Sequence, residues 1–231
     1  MTATRRVLVV ASAFAVLASG AFAPGAGAAV VAVPLACVSF TGDSSDRVLP
    51  VVGGGFAPAT SVTLSTSTKS KPTPRFLATV QTDAGGSFVT AVGAAPFNSA
   101  KTREQDFNLI ATQSAAVPAI AAATTFRQVL IGYERRPEPT RPRQKVTHVA
   151  RGLVSAGETV YAHFRQGGRT RATRSLGRAS GPCGVAKRRM RALPTTSRLG
   201  EWTVFVDGSK TFSRKTRPQA RLSFRVFREP R

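Results

Sequence analysis

The chain has 231 residues, of which 33 are Lys or Arg and 11 are Asp or Glu, so its formal net charge at pH 7 is +22. Apolar residues make up 42% of the sequence and charged residues only 19%, a composition that can bury a core and excludes a disordered polyelectrolyte. Two Cys and two His exclude a disulfide-rich scaffold and leave little for a metal or proton-transfer site, so we expect no metal and no cofactor.

Residues 1–29 have the layout of a secretory signal. Arg5 and Arg6 precede an apolar run at residues 7–18, and small residues follow up to an Ala-x-Ala cleavage motif at residues 26–28. The apolar run is shorter than the roughly twenty residues that a membrane span needs. We therefore expect a protein that is secreted or lies at the extracellular cell surface, without a membrane span.

Two variations on export stay open. The Arg5–Arg6 pair also occurs in signals of the twin-arginine route, so the sequence does not choose between that route and the general one. Cys37 follows Leu35 and Ala36 in a manner related to a bacterial lipobox, but Pro34 stands where that motif has Leu. Lipid attachment at Cys37 is the less favoured alternative.

The positive charge is concentrated in the second half of the chain. Residues 1–126 contain eight basic and five acidic residues, whereas residues 127–231 contain 25 basic and six acidic residues. Between the halves, residues 134–143 contain three prolines, which favour extended backbone and interrupt strands. We predict a linker at residues 133–143 that separates a near-neutral domain, residues 30–132, from a basic domain, residues 144–231.

Both halves contain short runs of alternating apolar and polar residues that are divided by Gly, Pro and Asp turns, a pattern typical of antiparallel strands. The predicted strands of the first half are residues 61–65, 76–80, 88–92, 107–111 and 125–130. Those of the second half are residues 146–149, 159–164, 202–206 and 222–227, with no clear strand between residues 181 and 198. No segment keeps the 3.6-residue period of a sizeable helix. The fold class predicted is all-β, with a β-sandwich in each half.

A weak internal repeat supports two similar domains. Residues 55–64, GFAPATSVTL, align with residues 152–161, GLVSAGETVY. The first copy resembles the GxGFxPGxxVTL opening of immunoglobulin-like domains in secreted actinobacterial proteins, and residues 83–88, DAGGSF, resemble their DAxGxF hairpin. The chain has Ala59 where that family often has Gly. The resemblance implies two tandem immunoglobulin-like antiparallel β-sandwiches and specifies no ligand.

The sequence contains none of the common catalytic motifs, so the main prediction is a protein without enzymatic activity. HExxH, GxSxG, P-loop and CxxC patterns are all absent from it. The alternative is a thiol-dependent cell-wall enzyme in which Cys183 is the nucleophile and His163 its base. The segment around Cys183 distantly resembles the Ser-His-Gly-Cys signature of L,D-transpeptidases, with Gly181 and Pro182 at its second and third positions. If His163 is not catalytic, the alternation of residues along its strand predicts that its side chain faces the surface.

The two cysteines are candidates for a disulfide. An even number of cysteines in an exported protein is normally oxidised. A bridge between Cys37 and Cys183 would connect the two domains and close a long loop. Two free thiols, or intermolecular bridges, are the alternative.

Clusters of Arg and Lys in the second domain are the main indication of function. Guanidinium groups match phosphate and carboxylate geometry, and a large net charge attracts polyanions. We predict an anionic cell-surface polymer or another polyanion as the partner, without sequence-specific nucleic-acid recognition, because aromatic residues are sparse in the clusters. No small-molecule substrate is evident, and a basic surface that serves only solubility stays open. The candidate binding residues are Arg169, Arg171, Arg174, Lys187, Arg188, Arg189, Arg191, Lys215 and Arg217.

Overall fold

The computed structural model of the chain describes residues 28–41, 47–114, 119–138, 144–194 and 199–227. Within these ranges the secondary structure consists of fifteen β-strands and contains no helix. The all-β prediction is therefore confirmed. The predicted signal sequence lies, apart from its last two residues, outside the described residues.

The first domain contains eight strands. They are β1 (Val30–Ala32), β2 (Cys37–Phe40), β3 (Val48–Gly54), β4 (Ser61–Thr68), β5 (Lys71–Gln81), β6 (Phe88–Gly93), β7 (Glu104–Gln113) and β8 (Ile120–Leu130). One sheet has the order β1-β3-β6 and the other the order β2-β8-β7-β4-β5. All neighbours are antiparallel except β2 and β8, which pair in parallel.

The second domain contains seven strands. They are β9 (Gly132–Arg136), β10 (Lys145–Arg151), β11 (Thr159–Gln166), β12 (Arg169–Arg178), β13 (Ala186–Arg191), β14 (Gly200–Asp207) and β15 (Ala220–Val226). Their sheets have the orders β13-β10-β9 and β12-β11-β14-β15. The segment predicted to be a linker thus begins with a strand, because residues 133–136 belong to β9 and pair with β10. Residues 139–143 lie outside the described ranges.

The two domains share one connectivity. After β3 in the first domain and β10 in the second, two strands join the larger sheet, one strand joins the three-stranded sheet, and two more strands join the larger sheet. This Greek-key crossing pattern is that of an immunoglobulin-like sandwich. The prediction of two tandem immunoglobulin-like sandwiches is therefore confirmed.

Each sandwich encloses its own apolar core, because alternate residues of facing strands point inward. In the second domain, Phe164 on β11 and Trp202 on β14 are at most 1% exposed. In the first, Leu64 and Leu109 are fully buried. Burying a side chain of this size contributes about 1.5–3 kcal/mol, so these strands are held mainly by core packing.

Two glycines occupy corresponding turns of the two domains. Gly86 precedes β6 and Gly184 precedes β13, and both have positive φ angles, of 73° and 57°. A Cβ at Gly86 would collide with the carbonyl oxygen of Phe56, and one at Gly184 with that of Val154. Phe56 and Val154 lie in the two copies of the internal repeat, so the repeated sequences form the same loop in both domains.

Ala59 departs from the actinobacterial pattern at a position where the backbone favours glycine. Its φ angle is 49°, in the left-handed region, where a residue with a Cβ costs about 1–2 kcal/mol. Glycine loses up to about 1 kcal/mol through the extra entropy of the unfolded chain. We therefore expect Ala59→Gly to raise the free energy of unfolding by about 0.5–1 kcal/mol, measured by urea denaturation. In the control Ala57→Gly, where φ is not positive, stability should fall; a loss in both variants would contradict the interpretation.

A disulfide and an ion-pair network join the domains. Cys37, at the start of β2, is bonded to Cys183, in the turn before β13, with their Cα atoms 5.2 Å apart. Glu104 on β7 lies 3.2 Å from Arg127 and 4.0 Å from Arg151 of the second domain. Arg151 also pairs with Glu134 at 2.7 Å. The predicted Cys37–Cys183 bridge is confirmed, and the alternative of free thiols is wrong.

Candidate functional site

The two arginine-rich segments of the second domain form adjacent strands on one side of its sandwich. β12 is the outer strand of the four-stranded sheet and β13 the outer strand of the three-stranded sheet. The Arg188 guanidinium donates a 2.7 Å hydrogen bond to the carbonyl of Ser175, so the two strands touch. We call this surface the basic edge. Its residues are Arg169, Arg171, Arg174, Arg178, Lys187, Arg188, Arg189 and Arg191.

Among the described residues, no acidic group neutralises the charge of the basic edge. All of its side chains are exposed except Arg174, which is half-buried. Within the described residues, none of the eight forms an ion pair. The acidic side chains that the structure describes in the second domain contact other groups instead. Glu134 pairs with Arg136 and Arg151, Glu138 with Arg135, Glu201 with Arg225, Asp207 with His163, and Glu158 accepts a hydrogen bond from the Ser155 backbone.

The basic side chains on and beside β13 also lie close to one another. Lys187, Arg189 and Arg191 alternate along the strand with Arg188, whose side chain reaches β12, and with the half-buried Met190, so the three share one face of the sheet at a spacing of about 7 Å. Lys145 lies directly opposite Arg191 in the β10–β13 register, and both are exposed. Like charges in this position destabilise a sheet. A bound anion would relieve that repulsion.

Lys215 and Arg217 are not part of the basic edge. They lie in the loop at residues 208–219, which connects β14 to β15. Arg217 lines an open cleft of about 550 Å³ on the outer face of the four-stranded sheet, and Lys215 does not line it. We call this the arginine cleft, after its four guanidinium groups. They belong to Arg165, Arg214, Arg217 and Arg221. Of the nine sequence-predicted residues, seven therefore lie on the basic edge, Arg217 lines the arginine cleft, and Lys215 belongs to neither surface.

A buried polar network holds the loop that carries these residues. His163 on β11 and Asp207 at the end of β14 are both fully buried, with His163 Nε2 3.3 Å from Asp207 Oδ1. The same carboxylate accepts hydrogen bonds from the Ser209 backbone N–H at 2.8 Å and from Gln219 Nε2 at 2.7 Å. Phe212 packs against the His163 ring with a centroid separation of 5.6 Å. Both ends of the loop and its middle are thus attached to the sheet.

The prediction that His163 faces the surface was wrong. Its neighbours in the strand point into the core and His163 points outward, but the loop at residues 208–219 covers it. His163 Nδ1 lies 3.0 Å from the hydroxyl of Thr173, whereas the Asp207 carboxylate lies on the Nε2 side, the opposite of the arrangement in a serine-hydrolase triad. The Asp207 carboxylate also accepts hydrogen bonds from two groups of the loop, the Ser209 N–H and Gln219 Nε2. The network therefore serves to position that loop.

The thiol-dependent alternative loses its nucleophile. Cys183 is 3% exposed and bonded to Cys37, and these are the two cysteines of the sequence. A nucleophilic cysteine requires a free thiolate. His163 is hydrogen-bonded to Thr173 and Asp207 instead.

A second buried histidine lies beneath the basic edge. His148 on β10 is fully buried, with Nδ1 2.6 Å from the Tyr133 hydroxyl and Nε2 3.2 Å from the carbonyl of Arg191. Burial is the main reason that the pKa of His148 falls to about 4, and the charges of Arg135 and Arg174 act in the same direction. Burial also raises the pKa of Tyr133. His148 is therefore neutral at pH 7.

The depressed pKa of His148 predicts a loss of stability in acid. Between pH 6.5 and pH 4 the unfolded chain binds a proton at this histidine and the folded chain does not, so the free energy of unfolding falls as the pH falls. The loss reaches about 3 kcal/mol at pH 4. Urea denaturation at pH 7 and pH 4.5 should show a smaller difference for His148→Asn than for the unaltered protein. Equal differences in the two proteins would contradict a depressed pKa of His148 in the folded chain.

Across the described ranges, no group of three or more His, Cys, Asp and Glu side chains is arranged to hold a metal ion. In the same part of the chain, no helix has the length and apolar character needed to cross a membrane.

Comparisons with known proteins add no functional assignment. No protein-family model and no curated protein matches the chain. A tetra-tandem repeat from the extending region of a large adhesion protein is 14% identical over 87% of this chain and 49% of that chain, with a TM-score of 0.30. Salmonella alpha-2-macroglobulin reacted with methylamine is 11% identical over 86% of this chain but only 16% of its own, with a TM-score of 0.38.

A third similar structure is the CsuC–CsuE chaperone–tip adhesion subunit pre-assembly complex from Acinetobacter baumannii. It is 7% identical over 85% of this chain and 98% of that chain, with a TM-score of 0.28. This chain therefore spans about half of the adhesion-protein chain and a small part of the macroglobulin. The fold assignment rests on the strand topology described above.

Proposed function

We propose that the chain is an exported binding or structural protein of the cell envelope or extracellular space, without enzymatic activity, and that its basic edge holds an anionic surface polymer. The observation that carries this proposal is the row of eight basic side chains on β12 and β13, which form no ion pair within the described residues. Such a surface binds polyanions by long-range attraction and by hydrogen bonds from guanidinium groups.

Two features support the cellular location. The Cys37–Cys183 disulfide requires an oxidising environment, as found outside the cytoplasm. The sequence of residues 1–29 has the order of a secretory signal. We also propose that the first domain belongs to the immunoglobulin-like type found in secreted actinobacterial proteins, on the basis of residues 55–64 and 83–88.

The proposal is tested by removing charge from the basic edge. In the triple variant Lys187→Gln/Arg189→Gln/Arg191→Gln, three outward-facing cations of β13 become neutral. We expect its affinity for poly(glycerol phosphate) and for polygalacturonate to fall at least about tenfold, because each neutralised cation removes an electrostatic contact. Binding is measured by fluorescence anisotropy with labelled polymer at fixed ionic strength.

A matched control removes the same charge from the first domain. Lys69→Gln/Lys71→Gln/Arg75→Gln neutralises three exposed cations on and beside β5, an outer strand like β13. This variant should bind the polymers within about twofold of the unaltered protein. Equal losses in both triple variants would mean that net charge alone drives binding. Full affinity in the β13 variant would likewise overturn the basic edge as the site.

A further inference from the structure

The arginine cleft differs from the basic edge in shape and in the way its side chains are held. Its four guanidinium groups come from separate parts of the fold. Arg165 lies on β11, Arg221 on β15, and Arg214 and Arg217 on the connecting loop. They surround a concave space of about 550 Å³ that is also lined by Gly167 and Gly168 of the β11–β12 turn, where no side chain restricts entry.

Several of these cations are fixed in orientation. The Arg165 guanidinium lies over the Phe212 ring, 4.0 Å from its centroid, and that of Arg221 lies 5.7 Å from the Phe205 centroid. Arg217 Nη1 donates hydrogen bonds to the carbonyls of Arg214 and Thr216. Arg165 Nη1 also donates a 3.0 Å hydrogen bond to the Thr170 hydroxyl, and Arg165 Nη2 donates one to the carbonyl of Gly168. A guanidinium carries five N–H groups, so stacking and these bonds leave the remaining N–H groups for an anion. The cleft is therefore organised before any ligand binds.

The charge within the cleft is positive and uncompensated. Glu201 is its acidic lining residue, and its carboxylate lies 2.7 Å from Arg225, which neutralises it. Burial lowers the pKa of Arg165, and the nearby charge of Arg214 lowers it further, because a neighbouring cation disfavours the protonated guanidinium. An anion in the cleft would remove this repulsion.

We propose that the arginine cleft is a discrete binding site for a phosphate group. Its four guanidinium groups come from two strands and a loop and line one concave space, so a tetrahedral anion, whose oxygens point in several directions, can bond to more than one of them at once. The two oxygens of a carboxylate lie in one plane, so a carboxylate can bond to fewer of these guanidinium groups. The phosphate can be free in solution or belong to a surface polymer. The site is independent of the proposed role of the basic edge, because it uses other side chains.

The test is calorimetric titration of the full chain at constant ionic strength with inorganic phosphate, a glycerol phosphate oligomer and acetate. We expect saturable binding of phosphate and weaker binding of acetate. Arg214→Gln and Arg221→Gln should each weaken phosphate binding about tenfold, the effect of losing one charged hydrogen-bond partner. The control Lys215→Gln changes the same charge at the next position of the same loop, outside the cleft, and should leave phosphate affinity unchanged.

The outcomes separate this site from the basic edge. The triple variant of β13 should bind inorganic phosphate like the unaltered protein, even where it has lost affinity for the polymer. If the glycerol phosphate oligomer binds more tightly than inorganic phosphate, and Arg221→Gln loses this advantage, the site is assigned to a polymer phosphate. If inorganic phosphate binds more tightly, the site is assigned to free phosphate. Absence of saturable phosphate binding, equal affinity for acetate, or equal losses in Arg214→Gln and Lys215→Gln would overturn the proposal.

Discussion

Replacing Cys37 and Cys183 together with serine is expected to lower the free energy of unfolding by about 5 kcal/mol. The bridge connects positions 146 residues apart, and the chain-entropy model assigns about this value to a loop of such length. The effect arises because the disulfide reduces the freedom of the unfolded chain. Urea denaturation of the double variant and of the unaltered, oxidised protein measures the difference.

The same replacement should also loosen the junction between the domains. The remaining contacts there include the pairing of Glu104 with Arg151, whose side chains are partly exposed. Ion pairs of this kind contribute up to about 1 kcal/mol, so they do not substitute for the bridge. Glu104→Gln is the control and should cost no more than that. A double cysteine variant as stable as Glu104→Gln would contradict the disulfide as the main connection.

The second large effect is expected for Asp207→Ala, which should lower the free energy of unfolding by about 3 kcal/mol. The substitution removes the acceptor for His163 Nε2, the Ser209 N–H and Gln219 Nε2. A buried donor that is left without an acceptor costs about 1–3 kcal/mol. Because these contacts hold the loop at residues 208–219, trypsin should cleave the variant faster after Lys210, Arg214 or Lys215.

An aspartate in an exposed turn provides the control. Asp83 Oδ1 accepts hydrogen bonds from the backbone N–H groups of Gly85 and Ser87, so it stabilises a turn without being buried. Asp83→Ala should cost about 1 kcal/mol and leave trypsin cleavage of the loop at residues 208–219 unchanged. Equal stability losses in the two variants, or a loop that resists trypsin in Asp207→Ala, would show that Asp207 does not position the loop.

Strands with one buried and one exposed face could be predicted from sequence. All nine predicted strands coincide with observed ones, because residues such as those of β11 and β14 alternate between apolar and polar. The strands that carry the basic edge were missed. β12 and β13 form sheet edges, where charged side chains are exposed on both faces and the alternation is lost. Residues 181–198, which had no clear strand, contain β13.

The candidate site could be predicted in composition but not in arrangement. The arginine clusters are visible in sequence, whereas the proximity of β12 and β13 depends on pairing in two different sheets. Of the four guanidinium groups of the arginine cleft, only that of Arg217 belongs to the candidate set, and Arg221 lies apart from any cluster of basic residues in the sequence. The contact of His163 with Asp207 joins residues 44 positions apart and depends on a loop fold that no local pattern encodes.

The most direct test of the central claim, that the uncompensated basic edge binds a polyanion, is the dissociation constant for poly(glycerol phosphate) measured from about 50 to 200 mM NaCl. Binding that neutralises several polymer charges releases counterions, so affinity should fall by about 100-fold or more over this range. The β13 triple variant should show a shallower dependence on salt, because three fewer cations take part. An affinity that hardly changes with salt, or a salt dependence unaltered in that variant, would contradict the account.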